Sequence, residues 1–116
     1  MHIHIRDYYQ KKSDKMARKL GLTKEEQYIA ETSLDCLCFF NPNINPSYFE
    51  GSKNTSELFN NDRELFGRFF GALVKEFDCL SVIDLHEIPK GKEFEQFPTF
   101  IDIAEFFYEK YMMTKS

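Results

Sequence analysis

The hydrophobic positions of this chain fall into stripes at helical spacing, separated by breaks rich in polar residues, proline and glycine. The clearest stripe lies in NNDRELFGRFFGALVKEFD, residues 60–78, where Leu65, Phe66, Phe69, Phe70, Leu73, Val74 and Phe77 recur at helical intervals. At 100° per residue they fill one arc of roughly 160°, as in a helix that lays one face on a core. The spacing predicts a helix over 62–78. Gly67 and Gly71 sit together at one edge of that arc. Glycine costs about 1 kcal/mol against alanine in a helix interior. Two glycines one turn apart therefore predict close approach by a backbone or ligand, or else an N-terminal flank of poor helicity with tight helix packing.

The other stripes are set by their ends. Thr23 and Glu26 in TKEE form a capping-box pattern, which predicts a helix over 24–38, ended by NPNINP. Residues 7–20 read as a weaker helix with few apolar anchors, and Gly21 as its stop. Residues 41–56 read as a loop pinned to the core by Tyr48 and Phe49. The apolar run in CLSVIDLHEIP is too short for periodicity to separate strand from helix. PKGKEFEQFP reads as a loop. Thr99 and Asp102 then cap a last helix over about 100–113. It is apolar around most of its circumference, with one acidic strip of Asp102, Glu105 and Glu109, so it is either well buried or binds something. The sum is a mainly α-helical fold: a single small helical domain spanning 1–116, with one short strand or extra helix near 79–88.

Composition narrows the class. A chain of 116 residues with 42% hydrophobic residues suits one core, and 13 Phe with no Trp predict that ring packing dominates it. The net charge of −4 argues against nucleic acid, whose phosphates require clustered Lys and Arg. MARKLGLTKEE has the look of a helix-turn-helix turn, but the helix after it carries Glu25, Glu26, Glu31 and Asp35 against one lysine. An acidic domain suits a basic protein partner or simple solubility. MHIHIRDYYQKK has no apolar leader region, and no stretch approaches the roughly 18 apolar residues of a membrane span. Three cysteines are an odd count, which predicts reduced thiols, cytoplasmic residence and no membrane partner.

Candidate chemistry is sparse. His2 and His4 with Cys36 and Cys38 would supply four metal ligands, but Cys-x-Cys is not the spacing of structural zinc sites. A chain terminus and two buried thiols account for the same residues, so no metal is expected. Asp84, His86 and Glu87 lie near Cys79, and a Cys–His pair with a carboxylate is a nucleophilic constellation. Nothing in the spacing enforces its geometry, and no glycine-rich oxyanion turn accompanies it. A loop histidine among acids is the simpler account, and no enzyme activity is expected. Ser33 in SLD mimics a modified-serine motif, but Pro42 soon breaks the helix after it.

One resemblance stands out. DRELFGRFFGALVKEFD resembles the second helix of acyl carrier proteins, which opens at Asp-Ser-Leu and closes in a phrase such as ALEEEFD. Asp62 matches the motif aspartate, and Ala72, Leu73, Glu76, Phe77 and Asp78 match the tail. EIP at 87–89 matches the family's EIP after eight extra residues, Cys79 to His86. FPTFIDIAEFF resembles the start of the family's last helix, and LGLTKEE the exit of its first. The likeness covers about 62–107. The serine that carries phosphopantetheine falls at Arg63, and the motif leucine at Glu64. An arginine cannot form that phosphodiester. The exposed side, with Glu64, Arg68, Lys75 and Glu76, is mixed where carriers are uniformly acidic. The resemblance thus implies a carrier-like bundle without cofactor, acting as a protein-interaction module through Asp62, Arg63, Gly67 and Arg68. The alternative is an immunity or antitoxin protein that neutralises a basic toxin through charge steering and aromatic anchors.

Overall fold

The computed structural model describes residues 22–46, 49–88 and 90–115. The weak helix at 7–20, its stop at Gly21, His2, His4 and Tyr48 lie outside them. Among the described residues five α-helices run in order: α1 Lys24–Phe40, α2 Thr55–Leu58, α3 Arg63–Phe77, α4 Glu93–Gln96 and α5 Phe100–Lys115. Among the described residues the one extended pairing is an isolated antiparallel bridge, Asn54 to Thr99. The protein is mainly helical, a small bundle of three long helices and two short ones.

Each long helix starts where local chemistry stops the chain from fraying. The Thr23 hydroxyl accepts from the Glu26 N–H at 3.1 Å, and the Glu26 carboxylate accepts from the Thr23 N–H at 3.0 Å. Asp62 accepts from the N–H groups of Glu64 and Leu65 at 3.0 and 3.1 Å. The Asp102 carboxylate accepts from both the N–H and the hydroxyl of Thr99. Each of these bonds engages groups at a helix start that would otherwise go without an intrahelical partner. Two more first-turn amides of α5 are taken by a neighbouring loop: Phe100 N–H donates to Lys53 C=O and Ile101 N–H to Gly51 C=O.

A helix in a protein takes most of its stability from tertiary packing of its apolar face, and packing holds these. Tyr28, near the start of α1, lies 5.5 Å from Phe77 at the end of α3 and 5.6 Å from Tyr111 near the end of α5. At the other end of α1, Phe40 lies 6.2 Å from Phe69. Hence α1 runs antiparallel to α3 and α5, which run parallel to each other. Between them Phe70 meets Phe107 at 4.8 Å, Phe77 meets Phe107 at 5.7 Å, and Phe69 meets Phe100 at 6.3 Å. Leu73, Ile103 and Ala104 are buried in the same core. The aromatic stripes of α3 and α5 bury each other, and Phe49 pins its loop edge-on against Phe100.

Residues 79–88 take the helical alternative, as two short 3-10 turns, Leu80–Val82 and Leu85–Glu87, and two other expectations need correction. Asp78 closes α3 in the left-handed region at φ 49°, which turns the chain back across α5. The presumed loop 89–98 contains α4. Gly67 and Gly71 approach nothing: an added Cβ at either would have no neighbour within 4 Å.

Candidate functional site

The four residues singled out in the sequence share the first two turns of α3, all on its exposed side. Two of them have structural work. Asp62 is the N-cap. Arg63 reaches across to α4: its guanidinium carbon sits 4.7 Å from the centre of the Phe94 ring. Its nitrogens lie 3.4 Å from a Glu95 carboxylate oxygen and 4.0 Å from one of Glu93. Phe94 in turn packs edge-on to Phe66 at 5.7 Å. Arg63 is thus a clamp that ties α4 to the start of α3. Glu95 titrates below the usual carboxylate range, chiefly through its own backbone N–H and then through Arg63. Arg68 pairs with Glu64 one turn earlier at 2.8 Å. Gly67 between them leaves an open strip of helix backbone.

Cys79 is fully buried, and burial raises its thiol above the usual value. A nucleophilic cysteine requires the opposite shift. The Glu87 carboxylate accepts from Lys110 Nζ at 2.8 Å and from the Asp84 N–H at 3.1 Å. Asp84 accepts from the His86 N–H. DLHE is therefore a self-capped turn, docked on α5 by a lysine only 5% exposed. Lys110 carries Glu87 below its ordinary value, mainly through that hydrogen bond. Neither the buried lysine nor the clamp through Phe94 was visible in the sequence, because both pair residues far apart in the chain.

The remaining candidates are quickly placed. Cys36 and Cys38 are half-buried on α1, and burial pushes the Cys36 thiol up to about 11. Among the described residues no group of three His, Cys, Asp or Glu side chains could hold a metal ion. Ser33 is fully buried within α1. No described helix is long and apolar enough to cross a membrane. Phe39 is 78% exposed at the end of α1. Compared with protein-family models, curated proteins and solved structures, the chain matches none.

Proposed function

We propose that this protein is a non-catalytic, acyl-carrier-like helical module of the cytoplasm that acts by binding another protein and carries no phosphopantetheine. Arg63 is the observation that carries this reading. It replaces the acceptor hydroxyl and is held against Phe94 and Glu95, so the start of α3 is a fixed surface and not an attachment point. Gly67 and Arg68 are its open part. Incubation with a phosphopantetheinyl transferase and coenzyme A is expected to add no mass. A photo-crosslinking residue at Gly67 is expected to yield a defined protein adduct in cells, while one at Thr114, on the last turn of α5, yields none. A pantetheine adduct, or equal crosslinking from both positions, would overturn the reading.

A second reading, an immunity-type protein that neutralises a basic partner, is favoured by the charge distribution. Arg6, Lys11, Lys12, Lys15, Arg18 and Lys19 all precede Gly21. The helical body that follows therefore carries a much larger acidic excess than the −4 of the whole chain. Such a field speeds encounter with a cationic protein and weakens as salt rises.

A further inference from the structure

We propose that the outer end of α1, with Phe39 as anchor and Asp35 as its charged neighbour, docks a cationic, partly apolar segment of a partner protein; this rests on the second reading above. Phe39 is the most exposed of the large hydrophobic residues in the described structure, and it is not loose. Its ring stands edge-on to Phe40 at 5.3 Å, and Phe40 is rooted on Phe69 of the core at 6.2 Å. The helix end beneath it is fixed as well. Asn41 N–H donates to Leu37 C=O, and the Asn41 side-chain amide donates to Leu58 C=O at 3.1 Å. A ring seated on a neighbour that is itself rooted in the core has less freedom to lose when a partner covers it, as an interface anchor requires.

The charge around it names the partner. Asp35 is exposed one turn before Phe39, and the last turn of α1 contains no basic residue. The carbonyl end of a helix carries partial negative charge, normally offset by Lys or Arg. Here an aspartate adds to it, and after Lys24 the helix has no cation at all. A lysine or arginine on the partner, beside an apolar side chain seated on Phe39, would supply both missing complements.

The probe is a synthetic helical peptide of Lys and Leu, titrated into the full chain labelled for amide NMR, with a Glu and Leu peptide as control. Saturable, salt-sensitive shifts centred on residues 35–41 are expected with the cationic peptide alone. Phe39→Ser and Asp35→Lys should each weaken binding by about tenfold. Glu109→Lys, an equal charge change at the opposite end of the bundle, should have little effect. Phe39 contributes little to the core, so a circular dichroism melt of Phe39→Ser should match wild type. Binding that maps elsewhere, or that Glu109→Lys weakens equally, overturns the docking site and leaves the acidic-module reading standing. No binding of the cationic peptide overturns both. Self-association abolished by Phe39→Ser would assign this face to a second copy of the chain and also overturn the proposal.

Discussion

Phe77 and Phe39 show how position decides what a ring does. Phe77 is 2% exposed and touches Tyr28, Phe107 and Tyr111. Its truncation to Ala removes a ring from a close-packed core and should cost about 3–5 kcal/mol, a large part of a typical total of about 5–15 kcal/mol. Phe39→Ala should stay within about 0.5 kcal/mol, the usual range for surface changes. Urea denaturation of the two variants checks both, and equal midpoints would mean that the α3 stripe is not the core. The glycines respond in the opposite direction. Gly67 and Gly71 are helical, exposed and open, so alanine at each should raise stability by about 0.4–1 kcal/mol through the unfolded chain. A loss of stability would reveal a close neighbour. Core and surface rings carry the same letter in the sequence. Only helical phase separates them, and phase is poorly defined at a helix end, where Phe39 lies.

At the scale of elements, caps were legible and docking was not. Thr23, Asp62 and Thr99 each act within three residues of their own position, so the sequence displays both partners of every cap. The short elements differ. α4 has no side-chain cap, and four residues cannot hold a helix by propensity. It stays in place through Arg63 and through Phe94 and Phe97 on Phe66. Arg63→Gln should therefore leave α3 intact and loosen α4: amide exchange at 93–97 should speed up while that at 66–77 is unchanged. Uniform exchange behaviour would show that the apolar rings alone hold the segment. The second 3-10 turn depends in the same way on Lys110, which lies 23 positions away from Glu87.

At the scale of the molecule, that ion pair gives the fold an acid-sensitive point. Glu87 titrates below its ordinary value of 4.5 in the folded protein, so the unfolded state takes up its proton first as pH falls. The stabilisation from Glu87 is present above that ordinary value and is lost as pH drops through the folded value. Glu95, shifted in the same direction, adds to the same limb. Thermal melts should show stability falling below about pH 4.5, with a shallower fall in Glu87→Gln. That variant should also be less stable at neutral pH, because it leaves a buried lysine without its counter-charge. An unchanged acid limb would show that the pair does not couple to unfolding.

The helical class, the three long helices and the caps at Thr23 and Thr99 follow from the sequence alone, because period and capping act over a few residues and their signals add along each segment. The pairing of the α3 and α5 stripes follows as well, because they are the two most aromatic and each needs cover. The tertiary structure decided the rest. It placed Arg63 on α4, buried Lys110 against Glu87, left Gly67 and Gly71 open and exposed Phe39. Each of these depends on which surfaces meet after collapse, and a side chain's surroundings in three dimensions are not written in its sequence neighbours.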